Sequence, residues 1–330
     1  MYIHALNDRK TTGNGRRKGR FWRCTAVLVA IGCLMATPAY GQEETSLGTS
    51  SESSGSSSAQ EADDGRYTYL KRLLNREETI AQEPVMLYDM MDVPGGGMSD
   101  AYASLGTGWA SIPKWKEYNS HTVGWLQIPG TNINYPVIQH PSDNNAFISI
   151  GYDMNYSYNG VIWADYEDKI GDRTQLSENT VIYGHNWTNY SATPAITRSS
   201  DVMFAQLTSF HYLDFAQSHQ FVYFSTEEEQ MIWQIFAAFY TGSDNDFYYI
   251  SCNMDADSLQ YIIDEARSRS EHIYDVEVTS NDKILTLSTC TRRFPELGKD
   301  QKFVVMAKLI DSAPVEAEVT TNPNPKRPSL

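Results

Sequence analysis

The sequence predicts a mainly β fold, a closed or nearly closed barrel of eight strands with an N-terminal helix and helical insertions. Three observations point there. From Val123 onward, short apolar or alternating runs recur, separated by turn residues such as Pro129-Gly130, the pattern of strands half-buried in a pleated sheet. Only two segments of that stretch carry helical spacing, and no internal repeat is visible. Many strands with few helices are accommodated by closing the sheet on itself, which removes its exposed edges.

The strands in order are residues 123–128, 133–139, 160–165, 180–187, 221–225, 231–240, 283–290 and 303–310. One helical insertion covers 201–210. The other, 255–268, sets Leu259, Ile262, Ile263 and Ala266 on one face and fills the long connection before the 283–290 strand. Ahead of the barrel, Tyr69, Leu70, Leu73, Leu74 and Ile80 predict a helix from 66 to about 91, interrupted at Pro94-Gly95-Gly96-Gly97. The barrel itself is assigned to 119–311, preceded by a helical region over 66–118. Residues 312–330 carry no core-forming pattern and read as a disordered tail.

Charge and targeting place this body outside the cell. The 330 residues carry a net charge of −15, yet the first 40 hold seven basic side chains against one acid, Asp8. The remainder of the chain is therefore strongly acidic. Such a surface excludes nucleic acid as a partner, because binding phosphates needs a basic footprint. After the cations comes T-A-V-L-V-A-I-G-C-L-M-A, Thr25 to Ala36, then small residues. Residues 1–41 thus read as an export segment, either a cleaved signal or a retained membrane anchor, with its cations cytoplasmic and the body extracytoplasmic. Residues 42–65 are Ser/Gly-rich, acidic and nearly free of apolar side chains, a flexible linker.

Of the four cysteines, Cys24 and Cys33 belong to the export segment and Cys252 and Cys290 to the body. A Cys252–Cys290 disulfide fits an oxidising compartment, but sparse cysteine use in an exported chain favours a free thiol. Cys290 ends the strand K-I-L-T-L-S-T-C and is followed by Arg292 and Arg293. A thiol on a rigid mount beside positive charge has what a nucleophile needs; a half-buried strand ending in a core cysteine reads alike in these residues alone. His185 stands out among the histidines. It follows the alternating run N-T-V-I-Y-G at 179–184, so a second strand delivers an acid/base group at its end.

Asn179 to Trp187, N-T-V-I-Y-G-H-N-W, and Leu285 to Cys290, L-T-L-S-T-C, resemble the two signature strands of sortases, cysteine transpeptidases of Gram-positive cell surfaces. V-G-W-L-Q-I-P-G-T at 123–131, Y-P-V at 135–137 and G-V-I-W-A-D-Y at 160–166 resemble further segments of that family, over roughly 119–310. The N-terminal helical region and the long helix before the cysteine strand are similar to class B. The resemblance implies that Cys290 attacks a threonine carbonyl in the C-terminal sorting signal of a secreted protein, forming a thioacyl-enzyme. His185 would protonate the departing amine and then deprotonate the incoming amine of a peptidoglycan precursor or another acceptor. No metal or organic cofactor is implied. Ser288 and Thr289 would line the substrate groove, and Asn144 and Ile148 would contact peptide from a loop.

One position departs from the family. Where sortases carry a third catalytic residue, an arginine in D-Q-R-F-V-V, this chain reads Asp300-Gln301-Lys302-Phe303-Val304-Val305. Lysine keeps the charge and loses the guanidinium fork. Lys302 is therefore expected to act with Arg293 nearby, with Arg292 the other guanidinium in reach. Two other readings stay open: a cysteine peptidase using water as acceptor, and a sortase-like barrel serving as a catalytically impaired surface module.

Overall fold

The computed structural model describes residues 100–198, 201–242, 249–298 and 301–328. The export segment, the linker and the helix expected at 66–91 lie outside them. After a 3₁₀ segment at Asp100–Leu105, helix α1 (Ile112–Tyr118) leads into β1 (Thr122–Gln127), β2 (Asn134–Gln139), β3 (Ile162–Ala164) and β4 (Asn179–Tyr183). Next come a 3₁₀ turn at Ala205–His211, α2 (Leu213–Ser218), β5 (Phe221–Ser225), β6 (Ile232–Gly242) and α3 (Ala256–Arg269). The short β7 (His272–Tyr274), β8 (Ile284–Thr291), β9 (Gln301–Ile310) and β10 (Val319–Thr321) complete the chain's elements.

Eight strands close the barrel in the order β1-β2-β3-β4-β8-β9-β6-β5. The β2–β3 and β4–β8 pairs are parallel. The expected strands are all present, shifted at their ends by a few residues. Several are apolar on both faces because successive side chains point to opposite sides of the sheet and each side meets a core. In β1, Leu126 packs into the main cluster while Trp125 enters a second one with Ile112 and Trp115 of α1. Val137 and Ile138 of β2, and Ile162 and Trp163 of β3, divide in the same way. Thus α1 covers one flank of the barrel, anchored by the fully buried Trp115.

Helix α3 forms where its spacing predicts. Asp255 caps it by accepting from the Ser258 amide at 2.8 Å, and Leu259, Ile262, Ile263 and Ala266 are its buried face, an apolar stripe against polar flanks. The helix expected at 201–210 starts later and in 3₁₀ form. Asp201 is committed elsewhere: its carboxylate accepts from Thr188 Oγ1 and the Arg198 amide, and its carbonyl from Asn132 Nδ2. Met203 comes next in the left-handed region at φ 54°, which no right-handed helix can include.

The tail expected to be disordered is folded over most of its length. β10 pairs antiparallel with β7, and Val319 is buried in the main core. Side-chain amides of Gln234, Gln220 and Gln217 donate to the carbonyls of Val315, Ala317 and Val319. Farther on, Lys326 pairs with Glu265 and Arg327 with Glu271. One buried valine, a three-residue strand pairing, a row of borrowed amide donors and two ion pairs hold this segment, and none of them has a local signature in sequence.

Candidate active site

β4, β8 and β9 are consecutive strands of the barrel, and they set three chemically active side chains in a row. The parallel register matches Tyr183 with Ser288, and just past the end of β4 the Asn186 side chain reaches the Cys290 carbonyl, which draws the His185 segment against the end of β8. On the other side, Cys290 is the direct antiparallel partner of Lys302, and Lys302 Nζ donates to Cys290 Sγ at 3.3 Å. The thiol therefore sits between an imidazole strand and an ammonium strand. Adjacent strands lie about 4.8 Å apart, so neighbours at one level are within reach of each other's chemistry.

β4 stops at Tyr183, short of its expected end, because the chain turns there and the turn is pinned. The Gly184 amide bonds the Ser288 carbonyl and the Phe204 amide bonds the His185 carbonyl at 3.0 Å. Gly184 has no room for a side chain: a Cβ would lie 2.5 Å from Ile162 and 2.7 Å from Phe204. Asn186 then donates to the Cys290 carbonyl at 3.1 Å, a tie between the two reactive segments.

His185 is buried, at 3 % exposure. Its Nε2 lies 2.7 Å from the Ile148 carbonyl. A carbonyl only accepts, so Nε2 carries the hydrogen and Nδ1 is the basic nitrogen of the neutral ring. Burial pushes the imidazole pKa below its ordinary value and the Lys302 charge pushes the same way, against the Ile148 carbonyl. The ring rests on the second core, with Trp163 at 5.8 Å between centroids.

Gly160 makes this contact feasible. At φ 60° its backbone is left-handed, and a Cβ there would stand 2.8 Å from the Ile148 carbonyl and 2.9 Å from His185 Cδ2. Gly160→Ala is expected to break the Ile148–His185 hydrogen bond and lower kcat/KM on the order of 10²-fold, since small misplacements of reacting groups cost that much. Steady-state kinetics on a variant verified as folded by circular dichroism checks it.

The other expected site residues mostly brace the site. Arg293 donates to the Ala192 carbonyl and packs over Phe294, while Arg292 stacks on Tyr190 at 5.0 Å; both support the neighbouring 190–195 loop, and Lys302 alone of the three has a bond to the thiol. Ser288 and Thr289 are buried at 3 % and 2 % exposure. The Ser288 hydroxyl meets Tyr249 OH at 3.2 Å and that of Thr289 donates to the Gly184 carbonyl at 2.7 Å, so they fasten β8 to the adjoining loops instead of lining an open groove. Asn144 bonds Asp165 and the Tyr166 amide, which fastens the loop that carries Ile148. Ile148 reaches the site through its backbone carbonyl.

Cys252 and Cys290 are both free. Cys252 is buried, and burial together with Asp168 and Asp165 drives its thiol pKa far up, whereas Cys290 is half-buried and bonded by Lys302. Spacing in sequence had not singled out Asn186, although it comes directly after His185. It also gave no signal for Gly160 or for Tyr249, whose hydroxyl lies near Lys302 and Cys290.

Comparison with known proteins agrees with this geometry. A sortase-domain family model matches residues 126–310. Sortase B of Staphylococcus aureus is 28 % identical over 195 residues, covering 59 % of this chain and 72 % of that protein. Sortase B of Listeria monocytogenes is 30 % identical over 197 residues, with the same 59 % and 72 % coverage. The X-ray structure of Clostridium perfringens sortase B superposes with a TM-score of 0.51 at 27 % identity, over 60 % of this chain and 99 % of that one. The chain belongs to the sortase family of cysteine transpeptidases, and within it to class B.

Proposed function

We propose that this sortase cleaves the sorting signal of secreted proteins at a threonine carbonyl and transfers the new carboxyl end to an amine of the cell wall. The observation that carries the reading is the convergence of His185, just past β4, with Cys290 on β8 and Lys302 on β9, the Lys302 ammonium lying 3.3 Å from the sulfur. Cys290 Sγ attacks the carbonyl carbon as His185 Nδ1 takes the thiol proton. The tetrahedral oxyanion develops beside Lys302, where a fixed positive charge stabilises it. The C–N bond then breaks, His185 returns the proton to the departing amine, and a thioester remains on Cys290. An incoming amine attacks the thioester, His185 accepts its proton, and the proton goes back to sulfur as the new amide leaves.

Residues 1–41 would hold the enzyme at the membrane with its barrel outside, as their cations followed by an apolar run suggest. The test is incubation of the protein with a library of Pro- and Thr-containing pentapeptides, followed by mass spectrometry. The expected result is one acyl adduct, on Cys290, that chases to amide when a primary amine is added. Chasing only to free acid would make the enzyme a peptidase, and absence of any adduct would overturn the reading.

A further inference from the structure

From His185 the aromatic rings continue outward. The ring of Trp187 lies 4.9 Å from the imidazole at 31°, and Tyr158 stacks on Trp187 at 4.8 Å and 28°. Tyr158 is 61 % exposed, so one face is covered by the indole and the other is open. It belongs to a folded loop: Ile150 and Tyr156 form an isolated bridge, and the Gly160 amide bonds the Ser157 carbonyl. That loop also presents Tyr156 at 77 % and Met154 at 48 % exposure, the latter in a left-handed conformation at φ 62°. A shelf of half-stacked, exposed aromatics reaching the imidazole through Trp187 is a surface shaped for a partner.

The geometry points to Tyr158 and Trp187 as the subsite for the acyl acceptor, a peptide bearing a primary amine, whose backbone lies over the open face of Tyr158 while Trp187 backs that ring and joins it to His185. This rests on the transpeptidase reading above. The strand order supports it. The acyl group is held at Cys290 with its oxyanion toward Lys302, so the amine that must give its proton to His185 approaches from the imidazole side, along this shelf. Peptide planes stack on aromatic faces.

The test compares two amines on the full chain acylated by a sorting peptide. Triglycine is long enough to lie on the shelf; hydroxylamine reaches the thioester without touching it. The measured quantity is the ratio of amine-captured to hydrolysed product for wild type, Tyr158→Ala and Trp187→Leu, the last removing the ring that backs Tyr158. With triglycine the ratio is expected to fall about tenfold in each variant, while with hydroxylamine it does not fall. Ratios with triglycine equal to wild type would overturn the assignment. So would a parallel fall with both amines, which would make the stack a support for His185. If the wild type is captured by hydroxylamine but not by triglycine, the acyl-enzyme stands and the acceptor subsite is refuted. If neither amine is captured, the transpeptidase reading falls and the subsite with it.

Discussion

Turnover of a sorting peptide should fall on the order of 10⁴-fold or more when either Cys290 or His185 is replaced by alanine, because residues that act as a unit lose nearly the whole chemical advantage together. Cys252→Ala should leave turnover at the wild-type level, since that thiol is buried and has no part in the row of β4, β8 and β9. Single-turnover kinetics with the peptide separates acylation from release. The pH dependence is set by the imidazole. Burial and the Lys302 charge disfavour its protonated form, so His185 is a neutral base through the neutral range, and kcat/KM declines only as pH drops through a value below the ordinary histidine range. An acid limb lying above that range would contradict the assignment of His185 as the base.

Lys302→Met is the second large effect. Removing a donor aimed at a developing oxyanion costs roughly 10²- to 10³-fold in rate, and here it also strips the sulfur of its ammonium partner. The same change should move the acid limb of kcat/KM to higher pH, because a positive charge that lowers the His185 pKa is gone. Lys302→Arg keeps the charge, so the limb stays where it is and activity is retained. Arg293→Ala should have little effect on rate, as its guanidinium is spent on the Ala192 carbonyl. The opposite pattern, with Arg293→Ala abolishing turnover and Lys302→Met harmless, would place the oxyanion at the 190–195 loop. Measuring kcat/KM against pH for the four proteins decides it.

Cys290 and His185 were legible because a strand announces where it runs out: the alternation gives way at a glycine or a polar residue, and a reactive side chain placed there stands out from the pattern. Lys302 was legible because the pattern around it is that of the family, with one letter changed. The faces of Ser288 and Thr289 were not. Small hydroxyl residues suit a groove wall and a sealed strand equally, and what decides between them is Tyr249 and Gly184, 39 and 105 residues distant. The tether on His185 was invisible for a related reason. It comes from the carbonyl of Ile148, and every residue owns a carbonyl, so no side-chain pattern marks the one that is used. The helix expected at 201–210 failed because spacing says nothing of Met203's backbone.

The segment after β9 serves the barrel without belonging to it. Every strand of the closed barrel lies at or before Ile310, and Val315–Arg327 is laid against its outside. Cut away, it would leave the β7 edge without its partner strand and the buried Glu271 without Arg327. Gln220 would lose Ala317, 97 residues later in the chain. A chain shortened at Ile310 would therefore keep its active-site strands while exposing a sheet edge and a set of amide donors, an adhesive surface beside an otherwise complete barrel.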